Sequence, residues 1–153
     1  MKRHPKKTRG KKARAGAQLS KTDHAKVAAV LDEFARGWRE ADAAVLESTW
    51  MQDDRTISYQ ASEQPAPIYG MAALRKYYRE ALGMYPITSM EIRNVRIVPV
   101  GTAAYSTCDI DIGFVVNGKE YVVHPRATFV LRKRGSRWFV VHYHESIKYE
   151  VPG

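Results

Sequence analysis

Residues 126–146 read RATFVLRKRGSRWFVVHYHES. Two runs rich in β-branched and aromatic residues flank the basic tripeptide Arg134-Gly135-Ser136. Such runs are typical of strands, and a polar segment with glycine is typical of the turn between them. The stretch therefore predicts a β-hairpin with strands near 119–132 and 137–147.

The chain before this hairpin divides into a helical part and a strand part. Ser20 stands three residues before Asp23, which is typical of a helix N-terminus, and Asp42 is placed to cap a second helix. Helices then strands predict an α+β fold with the helices covering one face of a sheet. Apolar residues at helical spacing mark the first and third helices: Val27, Leu31, Phe34 and Trp38, then Met71, Leu74, Tyr78 and Leu82. Further strands are predicted near 56–60, 88–100 and 103–116.

The second strand of the hairpin ends in a distinctive pattern. R-x-T opens the hairpin at Arg126, and W-x-x-V-H-x-H-x-S runs from Trp138 to Ser146. This pattern resembles the SnoaL-like branch of the nuclear transport factor 2 fold family, and it is similar to the association domain of calcium/calmodulin-dependent kinases. The resemblance implies a cone-shaped, curved antiparallel sheet packed against three N-terminal helices, in one domain over residues 21–150. It implies a homodimer but no single reaction, because the scaffold hosts both enzymes and non-enzymatic hubs.

The net charge of +9 belongs to the first residues of the chain. Residues 1–21 hold nine Lys and Arg and no acid, whereas the remainder holds 16 basic and 16 acidic residues. Without hydrophobic periodicity, residues 1–20 are predicted to be a disordered basic tail. Two interpretations stay open: an arm that contacts nucleic acid through its phosphates, or a solvated extension without a partner.

The composition indicates where in the cell the protein is expected. The chain has 153 residues and one cysteine, so an internal disulfide is impossible and nothing indicates secretion. No apolar run approaches the length of a membrane span, and the basic N-terminus lacks the apolar segment of a signal peptide. We therefore expect a cytoplasmic protein with no membrane partner. The pattern indicates no cofactor.

The dipeptide Asn117-Gly118 fixes the register of the preceding hairpin, since a two-residue turn needs positive φ at both positions. One face of the predicted ladder is then apolar, with the pairs Phe114–Tyr121, Ile112–Val123, Ile110–Pro125 and Cys108–Ala127. The other face carries chemically matched pairs: Asp111–His124, Asp109–Arg126 and Thr107–Thr128.

The family comparison indicates which face lines a pocket. In the kinase association domain, pocket arginines occupy the positions of Ile110, Phe129 and Glu145, so the apolar face should be the concave one. None of the three is arginine here, and the anion-binding pocket is therefore not carried over. The resemblance instead suits a small, mostly apolar ligand. The predicted pocket residues are Trp38, Trp50, Tyr59, Ile110, Phe129 and Tyr143.

Glu145 is the predicted catalytic residue. A carboxylate beside Phe and Tyr is desolvated, which favours its protonated form and suits it to proton transfer near neutrality. Tyr59 or Tyr143 could donate to a developing oxyanion. In the alternative interpretation, Glu145 reaches solvent or pairs with a nearby Lys or Arg.

The polar face is predicted to be a dimer surface or, if the faces are reversed, the site itself. Its residues are Asp109, Asp111, His124, Arg126, His142 and His144. With Arg134-Gly135-Ser136 as the loop, His144 lies beside Arg126 and completes a row that starts at Asp109. A metal site is disfavoured because Arg126 would place a fixed cation among the ligands.

Two classes of function follow from the sequence. The first is a SnoaL-like protein that binds a small apolar molecule, with isomerase-, cyclase- or dehydratase-type acid–base chemistry. The second is a non-catalytic dimeric scaffold whose basic tail contacts nucleic acid. A deep, closed pocket with an ionisable group favours the first, and a pocket filled by its own aromatic side chains favours the second.

Overall fold

The computed structural model of the protein describes residues 18–53 and 55–149, so residues 1–17 of the predicted tail lie outside it. Three helices are formed in these ranges: α1 (Lys21–Arg39), α2 (Ala43–Ser48) and α3 (Met71–Met84). The strands are β1 (Ser58–Gln60), β2 (Ile68–Tyr69), β3 (Ile87–Val100), β4 (Ala103–Val116), β5 (Lys119–Val123), β6 (Arg126–Arg134) and β7 (Arg137–Ser146). None of the helices in the described ranges is both long and apolar enough to cross a membrane.

The strands form one open sheet in the order β2-β1-β7-β6-β4-β3, with β5 paired to β4. This confirms the α+β fold, with helices first and a large sheet after them. The predicted antiparallel sheet needs one correction, because β1 runs parallel to β7 and the sheet is therefore mixed. That parallel pair brings the loop after β1 next to the end of β7.

Side chains at the helix N-termini fix where α1 and α2 begin. The Ser20 hydroxyl accepts a hydrogen bond from the Asp23 amide at 3.0 Å, and the Asp42 carboxylate accepts one from the Val45 amide at 3.1 Å. Both satisfy amides that have no partner inside their helix. The Asp23 carboxylate in turn accepts from the indole of Trp138 at 3.0 Å and pairs with Lys133, which ties α1 to the last hairpin.

The predicted register around Asn117-Gly118 is confirmed. Both residues have positive φ, 50° and 74°, as a two-residue turn requires. The register continues unchanged from β5 into β6, since Asp109 lies opposite Arg126 and Thr107 opposite Thr128. Pro125 interrupts the strand without shifting it, because its carbonyl still accepts a hydrogen bond from the Ile110 amide at 2.9 Å.

The predicted register of the last hairpin is wrong. Arg134 pairs with Arg137, so the turn has two residues, Gly135-Ser136, rather than three. A β-bulge follows, because Val130 pairs with His142 while the next residue pairs with Val140. His144 therefore lies beside Thr128, and the predicted row of Asp109, Arg126 and His144 ends in Ser146 instead.

The two-residue turn also changes the faces of the first half of β7. A three-residue loop would place Trp138 and Val140 on the polar face with His142 and His144, but they are 5% and 0% exposed and belong to the hydrophobic core. Beyond the bulge the alternation resumes as predicted, with Tyr143 and Glu145 buried and His144 exposed. A shift of one residue inverts which side chains point to a given face, and the bulge inverts them again, so only the half of β7 nearest the turn differs from the prediction.

The core lies between the helices and one face of the sheet, which we call the helix-covered face; the opposite face is the open face. Phe34 of α1 contacts Phe129 edge to face at a centroid distance of 5.1 Å, and Phe129 contacts Tyr143 at 4.8 Å. Ile110 is fully buried in the same cluster. The face that the sequence predicts to be apolar is thus the helix-covered face.

Candidate ligand-binding pocket

A cavity of about 280 Å³ lies between the helix-covered face and helices α1 and α3. Its mouth is formed by residues that remain partly exposed, among them Glu63, Tyr85 and Ile147. Its walls are predominantly aromatic and apolar, with Trp38, Tyr59, Ala61, Tyr77, Ala81, Ile87, Met90, Ile112, Phe114, Val123 and Tyr143. Ser62 and Glu145 complete the lining.

The tyrosines of the pocket pack against one another. Tyr59 of β1 stacks on Tyr143 of β7 at a centroid distance of 4.9 Å, and Tyr77 of α3 lies 5.2 Å from Tyr59. Burial raises the pKa of Tyr59 and of Tyr143 well above the usual range, and the negative charge of Glu145 adds to the effect at Tyr143. Both hydroxyls therefore stay protonated and can donate hydrogen bonds at neutral pH.

Glu145 is the buried carboxylate of the pocket, with 7% of the residue exposed. Its Oε1 accepts hydrogen bonds from the amide of Ser62 at 2.9 Å and from the hydroxyl of Ser62 at 2.8 Å. Its Oε2 accepts from the hydroxyl of Tyr143. Ser62 reaches this position because Gln60 of β1 pairs with His144 of β7, which sets the two strand ends side by side. Among residues 18–53 and 55–149, no Lys, Arg or His forms an ion pair with Glu145.

A second carboxylate, Glu63, stands at the mouth. Its Oε1 accepts a hydrogen bond from the hydroxyl of Tyr77 at 2.6 Å. Burial, followed by the negative charge of Glu63, raises the pKa of Tyr77 above its ordinary value, so this hydroxyl is also a donor. The charged side chains that line the cavity in the described part of the chain are thus both acidic.

The structure divides the predicted pocket residues into two groups. Trp38, Tyr59, Tyr143 and Glu145 line the cavity. Trp50, Ile110 and Phe129 are fully buried in the core beneath it and do not line it. Trp50 packs edge to face on Tyr59 and donates its indole N–H to the hydroxyl of Tyr78 at 2.9 Å, so it supports the wall from behind.

Sequence reasoning missed Ser62, Glu63 and Tyr77. Tyr77 stands three residues after Leu74 and next to Tyr78, so its helical position could have indicated it. Ser62 and Glu63 lie in an irregular loop and enter the site through the parallel pairing of β1 with β7. Nothing in the local sequence signals that pairing.

The open face carries the predicted polar residues. Asp111 accepts from Arg93 at 2.6 Å and from His124 at 2.7 Å, and these two partners lower the pKa of Asp111 to about 2. Asp109 accepts from Asn94 at 2.7 Å, although Arg126 lies opposite it in the ladder.

The two histidines of β7 occupy the same face. Nδ1 of His142 lies 2.7 Å from the hydroxyl of Ser58, while His144 is exposed. Burial, and then the neighbouring His144, lower the pKa of His142. No group of three or more His, Cys, Asp or Glu that could hold a metal ion occurs in the part of the chain that the structure describes.

Cys108 has no features of a nucleophile. Its side chain points to the helix-covered face opposite Ala127 and the residue is 5% exposed. Burial raises the pKa of the thiol to about 12, so the thiolate is scarce at neutral pH.

An open α+β sheet, three helices before most of its strands, and a pocket between the two layers define a nuclear transport factor 2-like protein. The chain belongs to the SnoaL-like domain family, whose model matches residues 27–150. No curated protein sequence matches the chain at a significant level.

Solved structures show the same fold at low sequence identity. A proposed dehydratase of the NTF2-like family from Streptomyces avermitilis is 18% identical, with a TM-score of 0.73 over 86% of this chain and 100% of that one. A proposed aromatic ring hydroxylase from Novosphingobium aromaticivorans is 15% identical, with a TM-score of 0.75 over 87% and 94%. A proposed calcium/calmodulin-dependent protein kinase II association domain from Xanthomonas campestris is 18% identical, with a TM-score of 0.68 over 82% and 87%. At these identities the likeness concerns the fold.

Proposed function

We propose that the protein binds a small, mostly apolar molecule in the cavity and uses Glu145 as the base that accepts a proton from that molecule. The observation that carries the proposal is a buried carboxylate in an otherwise apolar cavity of about 280 Å³. This volume lies near the lower end of the range for small-molecule sites, about 300–1,000 Å³. The cavity is open rather than filled by the protein's own aromatic rings, which favours ligand binding over a purely structural scaffold.

The neighbouring groups suit proton transfer. Glu145 can take a proton from a substrate carbon or hydroxyl, since a carboxylate has about four lone-pair positions and three are used here. The hydroxyl of Tyr59 stays protonated and can donate to an oxyanion that develops on the substrate, whereas those of Tyr143 and Tyr77 already donate to Glu145 and Glu63. Dehydration or isomerisation next to a carbonyl is the reaction class that uses such a pair. The proposed dehydratase among the structural relatives agrees with this class by analogy.

The binding part of the proposal is tested by filling the cavity. Ala81 lines the pocket from α3, whereas Ala73 of the same helix is exposed. We expect Ala81→Phe to abolish binding of apolar compounds and Ala73→Phe to leave it unchanged. Native mass spectrometry of the purified full chain identifies co-purifying ligands, and thermal shifts with a library of apolar compounds measure binding. Equal binding by both folded variants would place the ligand elsewhere.

The catalytic part is tested at Glu145. Glu145→Gln keeps the size of the side chain and its carbonyl acceptor but removes the basic oxygen. For a substrate found by the binding screen, we expect the rate of proton exchange or turnover to fall by about 10²–10⁴-fold while binding of a neutral product analogue persists. An unchanged rate would leave a binding protein without acid–base chemistry.

A further inference from the structure

We propose that the ligand of this pocket is an organic cation, a small and largely apolar amine whose ammonium group lies against Glu145. The inference rests on the proposed function, because it names the chemical class of the molecule bound in the same cavity. Three features of the described part of the pocket lead to it: a buried carboxylate without a cation partner, an aromatic wall and a lining without cations.

The first feature is the charge of Glu145. Both carboxylate oxygens are hydrogen-bonded to neutral groups, Ser62 and Tyr143. Those donors supply hydrogen bonds but no positive charge. A buried charge is normally paired with an opposite one, because desolvation without a partner is costly. No cation of residues 18–53 and 55–149 pairs with Glu145, so a ligand can supply the positive charge.

Three partly shielded carboxylates of the chain meet a cation of the chain itself, whereas Asp42 and Asp109 accept from the amides of Val45 and Asn94. Asp23 pairs with Lys133 at 2.9 Å, Asp111 with Arg93 at 2.6 Å and Glu47 with Arg75 at 3.2 Å. Their side chains are 18–26% exposed, so each is better solvated than Glu145. The most buried of these four acids is therefore the one whose positive partner is missing from the described residues.

The second feature is the aromatic wall. Six aromatic residues line one cavity: Trp38, Tyr59, Tyr77, Tyr85, Phe114 and Tyr143. Aromatic faces carry partial negative charge and attract ammonium groups. The same rings can bury the hydrocarbon part of an amine. A hydrated metal ion or a small inorganic cation has no hydrocarbon part to bury there.

The third feature is the sign of the remaining charge. Glu63 adds a second carboxylate at the mouth, and no Lys, Arg or His of the described ranges lines the cavity. Carboxylate, phosphate and sulfate ligands would face like charge inside a region of low dielectric. The pocket therefore repels the anions that arginine pockets on related scaffolds would attract.

A set of three ligands with one shape tests the inference. The probes are 2-naphthylmethylamine, 2-naphthylmethanol and 2-naphthoate, which are cationic, neutral and anionic at pH 7.5. Titration calorimetry on the full chain, supported by indole fluorescence, gives the dissociation constants. We expect the amine to bind at least about tenfold tighter than the alcohol, or roughly 1.4 kcal/mol, and the naphthoate to bind weakest.

Two variants test whether Glu145 causes the preference for the amine over the alcohol. Glu145→Gln should reduce amine affinity to that of the alcohol and leave alcohol affinity within about twofold, since only the charge is removed. Asp111→Asn, a carboxylate of the open face, should leave the preference for the amine intact. Circular dichroism verifies the fold of each variant, and the wild-type ranking alone decides the question if Glu145→Gln does not fold.

Each other outcome counts against a specific claim. Equal affinity for amine and alcohol, or tighter binding of naphthoate, overturns the cationic ligand and leaves the apolar-ligand proposal standing. Amine preference that survives Glu145→Gln also overturns the inference, because the selectivity then lies elsewhere. No binding by these three probes or by the wider apolar library overturns the proposed function together with it.

Discussion

The two faces of the sheet treat their charges differently. On the open face, Asp111 meets Arg93 and His124, so its charge is matched by neighbours from the same sheet. On the helix-covered face, Glu145 is surrounded by hydroxyl and amide donors and meets no cation within the described ranges. The charge of Asp111 is thus matched by a cation of the chain, and that of Glu145 is not matched among the described residues. That difference, more than the fold, indicates where a ligand belongs.

Solvation sharpens the contrast. The side chain of Asp111 is 26% exposed, whereas Glu145 as a residue is 7% exposed and lies in an aromatic cavity. A partly hydrated ion pair contributes little to stability and can form wherever charges meet. A buried carboxylate costs stability and is kept where it serves a purpose. The comparison therefore separates structural charges from a functional one.

The largest expected effect is a loss of unfolding free energy that differs between the two faces of the sheet. Phe129 and Thr128 are neighbours on β6 that point to opposite faces, and Phe129 is fully buried. Phe129→Ala should lower the free energy of unfolding by about 3–5 kcal/mol because it opens a cavity among Phe34 and Tyr143. Thr128→Ala should change it by about 0.5 kcal/mol or less. Urea denaturation measures both, and similar losses would mean that Thr128 is packed as tightly as Phe129.

The next effect concerns what covers the open face. We propose that a second copy of the chain packs there, with Val130 near the middle of the row Ser58, His142, Val130 and Tyr105. Val130→Lys would bury unmatched positive charge in both copies and should weaken the dimer about a hundredfold, roughly 2.8 kcal/mol.

Sedimentation velocity of wild type, Val130→Lys and Ala73→Lys decides this. Ala73→Lys adds the same charge on α3, which lies on the other side of the sheet, and should leave the dimer intact. A wild-type monomer, or equal weakening by both variants, contradicts the interface.

The two hairpins show how far sequence reasoning reaches. Asn117-Gly118 fixes its turn chemically, and the resulting register holds as far as Thr107 opposite Thr128. The segment Arg134-Gly135-Ser136 allows a two-residue or a three-residue loop, and the choice of three is wrong. A bulge at Val141 adds a second shift that no local pattern announces, since valine suits either strand position.

The candidate site was predictable only in part, and the face of Glu145 was predicted correctly only because two register errors cancel. The shorter turn and the bulge together shift the far end of β7 by two residues, and an even shift restores the predicted face of Glu145. Aromatic residues at pocket positions followed from face and spacing. Ser62 did not, because it depends on parallel pairing of β1 with β7, more than eighty residues apart in the chain.

The smallest expected effect is a pH dependence confined to the open face. The ion pairs of Asp111 lower its pKa to about 2 from the ordinary 3.8, so the folded state releases this proton at lower pH than the unfolded state. The resulting stabilisation is fully present above about pH 5 and is lost as the pH falls from 5 to 2. Arg93 and His124 are largely exposed, so solvent screening limits the contribution to about 0.5–1 kcal/mol.

Asp111→Asn removes this dependence. The difference in unfolding free energy between wild type and variant should be constant above about pH 5 and shrink towards zero near pH 2, and 1 M NaCl should reduce it throughout. Urea denaturation across this pH range gives the difference directly, and other acids cancel because both proteins carry them. A difference that stays constant down to pH 2 would show that the charge of Asp111 is not matched on the open face. The contrast with Glu145 would then no longer single out the pocket.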